Sequence, residues 1–225
     1  MKKINIAIDG PSAAGKSSIA KILASKLGYV HLDTGAMYRC TAYKALQKGI
    51  DLSDEPKLVA MLRETEIVLT PAGNVILDGT DVSHAIRADE VSMAASKVAS
   101  LSGVRKELVS RQQKMAEAGG FIMDGRDIGT VVLPEAELKI FMTATPHARA
   151  LRRLRQNQEE AISESDLATV EKEIEERDYQ DTHRKSSPLK KAGDAIVLDT
   201  SSLSIQETAD AILKMAEPFL KEEHA

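Results

Sequence analysis

Short apolar runs alternate along this chain with longer stretches in which apolar residues recur every three or four positions. Lys3–Asp9 (KINIAID) is a β-branched run closed by Gly10-Pro11, the pattern of a buried strand. From Lys16 the period changes. Ile19, Ile22, Leu23 and Leu27 share one helical face, and Gly28 ends it. Tyr29–Leu32 predicts a second strand, Gly35–Lys48 a second helix stopped by Gly49, and the polar turn Asp51–Pro56 the start of a short third helix. Phe121–Asp124 (FIMD) and Leu138–Thr143 (LKIFMT) read as two more buried strands, and Ala195–Asp199 (AIVLD) as a last one. Between and around them, Ala88–Gln113 reads as helix, Pro146 to about Asp178 as a polar helical stretch, and Ile205–Met215 as a closing amphipathic helix.

Strand–helix alternation of this kind predicts an α/β fold: a doubly wound, five-stranded parallel sheet with helices on both faces. The texture differs between residues 64 and 90. Glu66–Thr70, the turn Pro71–Asn74, Val75–Leu77, the favoured turn pair Asp78-Gly79 and Asp81–Ser83 read as strands joined by tight turns. Tight turns imply antiparallel pairing, so 64–90 is expected to be a small inserted β subdomain. The core is then 1–63 and 91–225, and Lys221–Ala225 is expected to be a frayed tail.

Composition narrows the chemistry. The 225 residues are 43% hydrophobic and 28% charged, enough for a packed core. No Trp and 3% aromatics argue against a stacking platform for single-stranded nucleic acid, and a net charge of -4 supplies no global basic field for a polyanion. Positive charge for an anionic ligand must therefore be concentrated locally. Cys40, the only cysteine, has no disulfide partner and is expected to be a small buried apolar residue. The apolar run near the N-terminus stops at Asp9, too short for a signal peptide, and no window approaches the ~18 apolar residues of a membrane span. A cytoplasmic protein is expected.

Gly10-Pro11-Ser12-Ala13-Ala14-Gly15-Lys16-Ser17 matches G-x-x-x-x-G-K-[ST], with a strand running in and a helix running out. Such a loop curls its N–H groups inward around phosphate, and the following helix adds its positive end. Lys16 is expected to reach the β- and γ-phosphates and the Ser17 hydroxyl to ligate Mg²⁺. The loop predicts a nucleoside triphosphate without saying what becomes of it. No N-K-x-D guanine reader occurs, which argues against a GTPase.

A second polar site is expected at the same sheet edge, beyond the strands' carboxyl ends. Strand two runs into Asp33-Thr34-Gly35-Ala36-Met37-Tyr38-Arg39, and the FIMD strand into Gly125-Arg126-Asp127. Late in the chain, the face carrying Leu167, Val170 and Ile174 turns from apolar to charged at Arg177, Asp178, Asp181 and Arg184, as in a helix running from core into cleft. Arg149, Arg152, Arg153 and Arg155 suit a helical lid over transferring phosphates, about 146–165. A triphosphate and a monophosphate together bring about -6, of which Mg²⁺ offsets two, so local arginines must supply the rest.

GPSAAGKSS, LDTGAMYR, DGRDIGTVV and ERDYQDTHR, in this order, resemble the bacterial cytidylate kinases, P-loop nucleoside monophosphate kinases. The resemblance implies an adenylate-kinase-like fold with a monophosphate-binding insert and a lid. It implies transfer of the γ-phosphoryl of ATP to CMP or dCMP, giving CDP or dCDP and ADP. Carried over, the ATP-binding residues are Gly10, Pro11, Ser12, Ala13, Ala14, Gly15, Lys16, Ser17 and Ser18. The cytosine contacts fall on Ser96, Arg105 and Asp127, and the ribose and phosphate contacts on Thr34, Arg39, Arg126, Arg177, Asp181 and Arg184. Ser17 and Asp124 are the expected Mg²⁺ residues, and Lys16, Arg126, Arg153 and Arg184 the expected catalytic ones. Small nucleotides are the implied partners, with neither nucleic acid nor membrane, acting on a monomer. Two other readings stay open on the residues: a kinase for another acceptor such as UMP or AMP, and a partner-regulated P-loop ATPase.

Overall fold

A computed structural model of the chain describes residues 3–70, 73–159 and 165–220. Pro71 and Ala72 of the expected turn, lid positions 160–164 and the tail Lys221–Ala225 lie outside the described residues. The central sheet contains β1 (Ile6–Asp9), β2 (Val30–Asp33), β6 (Phe121–Gly125), β7 (Leu138–Thr143) and β8 (Ile196–Asp199), in the order β2-β6-β1-β7-β8. Every pairing in it is parallel. A second, antiparallel sheet consists of β3 (Ile67–Leu69), β4 (Val75–Leu77) and β5 (Thr80–Asp81).

Helices cover both faces of the parallel sheet. On one side α1 (Lys16–Leu27) and α8 (Ile205–Leu220) bury Ile19, Leu23 and Ile212 against Ile6, Ile8 and Ile140. On the other, α2 (Thr34–Gln47), α3 (Glu55–Arg63), α4 (Asp89–Val98) and α5 (Ser102–Ala116) bury Met37, Leu58, Val98 and Leu108 together with Ile67 and Leu77 of the small sheet. Each such side chain contributes roughly 1.5–3 kcal/mol on burial. A smaller apolar cluster, Ala150, Val170 and Ile174, joins α6 (Pro146–Glu159) to α7 (Leu167–His183). Cys40 is fully buried, and burial pushes its thiol up to about 12, an inert core residue.

Three elements differ from the sequence pattern. Ala88–Gln113 is two helices, α4 and α5, because the chain becomes extended at Leu101 (ψ 124°) before α5 starts. The break lets α5 lie on α3, where a Cβ on Gly103 would come within 3.0 Å of Val59. Pro146–Asp178 is likewise two helices, the second opened by Asp166, whose side chain accepts from the Thr169 N–H. The last hairpin strand is Thr80–Asp81 rather than Asp81–Ser83, since Ser83 turns back to donate its N–H and hydroxyl to the Asp81 carboxylate. The hairpin turn itself is as expected, with positive φ at Asp78 (47°) and Gly79 (82°). No helix among the described residues is long and apolar enough to cross a membrane.

Register decides where the polar ends fall. Asp33 of β2 lies beside Asp124 of β6, and Asp124 and Gly125 lie beside Ile8 and Asp9 of β1. The carboxyl ends of three neighbouring strands therefore bring Asp33, Asp124 and Asp9 to one level, at the edge where the phosphate loop leaves β1.

Candidate active site at the strand edge

The loop is shaped by backbone that few side chains tolerate. Gly10 has φ +152°, and a Cβ there would lie 2.2 Å from the Met142 carbonyl oxygen. Gly15 (φ 93°) stands at the N-terminus of α1 without a side-chain cap, so the first turn of α1 keeps its N–H groups for an anion. Lys16 is buried and folds back to donate from Nζ to the Pro11 carbonyl, 2.7 Å. Burial, and next the Arg126 guanidinium, pull its amine down to about 7. Ser17 Oγ donates to Asp124 Oδ2 at 2.7 Å. The other Asp124 oxygen meets His31 Nε2 at 2.6 Å. Burial opposes the charged imidazole of His31, but the hydrogen bond to Asp124 and the charges of Asp124 and Asp33 together outweigh it, and the net shift is upward. Asp9 accepts the N–H groups of Ile128 and Gly129, both at 2.7 Å, and so pins the turn that follows Asp127. Burial lifts its carboxyl to about 6 against the pull of those two hydrogen bonds.

Hard oxygen donors at Ser17 and Asp124 suit Mg²⁺. Among the described residues no group of three or more His, Cys, Asp or Glu is placed to hold a metal by itself. A hydroxyl and one carboxylate fit an ion held mainly through nucleotide phosphates and water.

Beside the loop, arginines and aspartates of α5, the β6 exit and the end of α7 interlock. Arg105 of α5 pairs with Asp127 in a contact whose side chains are 4% and 6% exposed. Its guanidinium also donates to the Ala99 carbonyl at 3.1 Å and lies over the Tyr38 ring, 5.3 Å from the centroid. Arg184, just past α7, lies 3.7 Å from Asp127 and 3.6 Å from Asp181. Arg126 donates from Nε to Asp181 at 2.7 Å. Asp181 is thereby held below the usual carboxylate range: burial opposes this, but Arg126 and Arg184 outweigh it. Arg177 is half-buried beside Arg153 and Arg126. Burial and those like charges depress it to about 9, and its Nε is a buried donor without a partner among the described residues. Arg153 and Arg177 line a cleft of about 290 Å³ with Asp89 and Glu173. Arg39 pairs with Asp33 at 2.8 Å and borders a second cleft, of about 440 Å³, between the β2 exit and the small antiparallel sheet.

Of the expected site residues, Arg105, Asp127, Arg126, Asp181 and Arg184 are thus one network, with Arg177 and Arg153 beside it. Two stand apart. Thr34 is buried and already donates its hydroxyl to the Asp124 carbonyl at 2.7 Å. Ser96 makes a long contact, 3.5 Å, to the Ser92 carbonyl of its own helix. The expected arginine face of α6 also divides. Arg149 donates to the Ser12 carbonyl at 3.1 Å and Arg152 to the Ala14 carbonyl at 3.3 Å, so both grip the loop's main chain, while Arg153 turns into the cleft. Arg155 is exposed. Sequence patterns missed Asp9, His31 and Tyr38. Asp9 carries a usable signal, a charge ending an otherwise apolar strand; His31 and Tyr38 acquire their roles only from neighbours distant in sequence.

Solved structures related in shape include a shikimate kinase from Bacteroides thetaiotaomicron (TM-score 0.51, 12% identity, 96% of this chain and 99% of that one). Another is a gluconokinase from Sinorhizobium meliloti 1021 (TM-score 0.50, 12% identity, 99% and 98%). At that identity they establish the fold alone, a P-loop kinase fold of the adenylate-kinase-like kind. In sequence the chain is 52% identical over 219 residues to a cytidylate kinase of Bacillus subtilis (strain 168), covering 96% of this chain and 97% of the relative. It is 52% identical over 225 residues to a cytidylate kinase of Streptococcus mutans serotype c, covering 98% and 99%. The family model described as cytidylate kinase matches residues 6–218, from the first residue of β1 into the last turn of α8. A match of that extent takes in the loop, the small sheet and the arginine network alike, and the chain belongs to the cytidylate kinase family.

Proposed function

We propose that this protein transfers the γ-phosphoryl group of ATP to CMP or dCMP, giving CDP or dCDP and ADP, a step of pyrimidine nucleotide metabolism. The observation that carries the reading is the buried Arg105–Asp127 pair, joined through Arg184 to the Arg126–Asp181 pair that adjoins Lys16 of the phosphate loop. Cytosine presents an amine donor beside a ring nitrogen and a carbonyl that accept, so a neighbouring carboxylate and guanidinium suit its edge. A monoester phosphate suits arginines, whose planar forks bind it bidentately.

ATP would lie along Gly10–Ser18, its phosphates over the first turn of α1. Lys16 would exchange the Pro11 carbonyl for phosphate oxygens, which also returns its lowered amine to the charged form. Ser17 and Asp124 would hold Mg²⁺, which when bound neutralises charge on the transferring phosphates. The acceptor phosphate needs no general base, because its second pKa near ~6 leaves an oxygen already deprotonated at neutral pH. That oxygen forms the new P–O bond to the γ-phosphorus as the bond to the ADP oxygen breaks. Arg126, Arg153, Arg177 and Arg184 supply the positive charge that lets two anions meet, with Arg39 at the acceptor phosphate. Asp181 orients Arg126 and Arg184 for this. Ser96 would complete the cytosine edge and Thr34 the ribose side. In this reading residues 64–90 close over the monophosphate and 146–165 over the transferring group. The enzyme would act as a cytoplasmic monomer on small nucleotides, with no nucleic acid or membrane partner.

An ADP-release assay with ATP, Mg²⁺ and a panel of CMP, dCMP, UMP, AMP and GMP tests the reading. Turnover with CMP and dCMP well above the others is expected. Preference for AMP or UMP, or ADP release independent of any acceptor, would overturn it.

A further inference from the structure

Asp178 has no place in the chemistry above, yet it touches the phosphate loop. Its Oδ1 accepts the main-chain N–H of Ser12 at 3.0 Å. Its other oxygen pairs with Arg149 Nη1, and that same nitrogen donates to the Ser12 carbonyl at 3.1 Å. The three groups form a closed triangle in which both main-chain polar groups of Ser12 are held by side chains. Arg149 is itself fixed, since its Nε donates to the Ala144 carbonyl at 3.0 Å and only 6% of its side chain is exposed. Asp178 is 18% exposed, mostly withdrawn from water.

A carboxylate on an N–H of a polyphosphate loop is electrostatically a poor choice, because a bound triphosphate would repel it. Arg149 cancels that charge locally, so what remains is a mechanical link. Its other end is informative. Asp178 sits on α7 directly after Arg177 and one turn before Asp181, and Asp181 holds Arg126 at 2.7 Å. One side of a single helix therefore grips the donor loop at Ser12 and the acceptor-side arginines at Asp181. A helix turn moves as a rigid unit, so an acceptor that settles Arg126, Arg177 and Arg184 also settles where Asp178 stands, and with it the curl of residues 10–15.

From this geometry we infer that Asp178 is a positioning residue that couples the two nucleotide sites: acceptor binding favours the loop conformation that takes ATP, and ATP binding favours the acceptor in equal measure. Reciprocity follows from linkage. The sign is positive because the link offsets the mutual repulsion of two phosphate groups, which alone would make each ligand weaken the other. This inference rests on the acceptor reading proposed above.

The test measures, by calorimetry, dissociation constants of a non-hydrolysable ATP analogue alone and with saturating CMP, in the unmodified chain and in Asp178→Ala and Asp178→Asn, with a thermal melt of each. The unmodified chain should bind the analogue at least about fivefold tighter with CMP present. D178A should bring that ratio to about one or below, the level set by phosphate repulsion. D178N keeps an acceptor for the Ser12 N–H and gives up the charge pairing with Arg149, so an intermediate ratio is expected. It also covers the case in which D178A does not fold. An unmodified chain that binds CMP but shows no coupling, or a folded D178A or D178N with the full ratio, overturns the coupling role while leaving the acceptor reading intact. No binding of CMP to the unmodified chain sinks the acceptor reading. The ratio is then measured with whichever monophosphate of the panel binds, and if none binds the coupling role falls with it.

Discussion

Removing Asp127 alone should cost far more than removing it together with Arg105. In the native fold the two side chains are 4% and 6% exposed and directly paired, so Asp127→Ala strands a guanidinium in the interior. Breaking a buried pair from one side costs about 3–5 kcal/mol. Three contacts soften the loss here. Arg105 keeps its hydrogen bond to the Ala99 carbonyl, and its stacking over Tyr38 at 5.3 Å is untouched. Arg184, which also faces Asp127 at 3.7 Å, keeps Asp181 at 3.6 Å. The lower end, about 3 kcal/mol, is therefore expected, a fall in Tm of roughly 6–12 °C for a chain of this length. In Arg105→Met/Asp127→Ala no buried charge is left alone, and most of that loss should be recovered. Urea unfolding of the native chain, both single variants and the double variant closes the cycle. A double variant as unstable as the sum of the singles would refute the claim that the pair is buried and mutually dependent. The same variants carry a kinetic expectation. D127A should raise KM for CMP much more than KM for ATP, and equal rises would count against a base-reading role for Asp127.

Two further outcomes follow from the loop. With Lys16 drawn down to about 7, part of the population lacks the ammonium proton at neutral pH, and phosphates restore it, so ATP binding should take up protons. The affinity for ATP should fall as pH rises through about 7 to 8.5, and calorimetry in two buffers of different ionisation enthalpy should register uptake; none at about pH 8 would show the amine is not depressed. Gly10→Ala should prevent stable folding or cost more than about 4 kcal/mol, since the new Cβ would meet the Met142 carbonyl at 2.2 Å; a melt close to that of the native chain would refute the close approach.

What could be read along the chain was what is encoded locally. Gly10–Ser17 carries its own strand, turn and helix signals, so the loop and its place at a strand end were legible without any partner. The Asp78-Gly79 hairpin was legible for the same reason. The division between α4 and α5 was not, because the helical period runs on through Ala99–Leu101 and only packing on α3 rewards the break. Arg105 and Asp127 are 22 residues apart and entered as a pair only through the family resemblance, since no periodicity links a helix residue to a strand exit. The α6 arginines mark the limit of a charge pattern. Their spacing said that they share a face, but whether a guanidinium meets a ligand phosphate or a loop carbonyl depends on distances of 3.1 and 3.3 Å that no spacing encodes. The link from Asp178 to Ser12 spans 166 residues and lies wholly in that second class.

A chain of net charge -4 gathers Lys16, Arg105, Arg126, Arg153, Arg177 and Arg184 in one region, and the aspartates among them explain how that is tolerated. Asp127 and Asp181 hold Arg105, Arg126 and Arg184 in place by direct pairing, which keeps the forks oriented before any phosphate arrives. A phosphate must then compete with a carboxylate already present, so the phosphate alone gains less than the count of arginines suggests. Discrimination between bases follows from the same arrangement. Asp127 is committed to Arg105, and a base that places an amine against its free lone pairs adds a hydrogen bond without disturbing that pairing. Uracil would set a carbonyl oxygen against the carboxylate there, and the repulsion acts on a buried group that cannot turn away to water. On the proposed reading, preference for cytosine therefore lies less in an attraction unique to CMP than in the rigidity with which Arg105 holds Asp127.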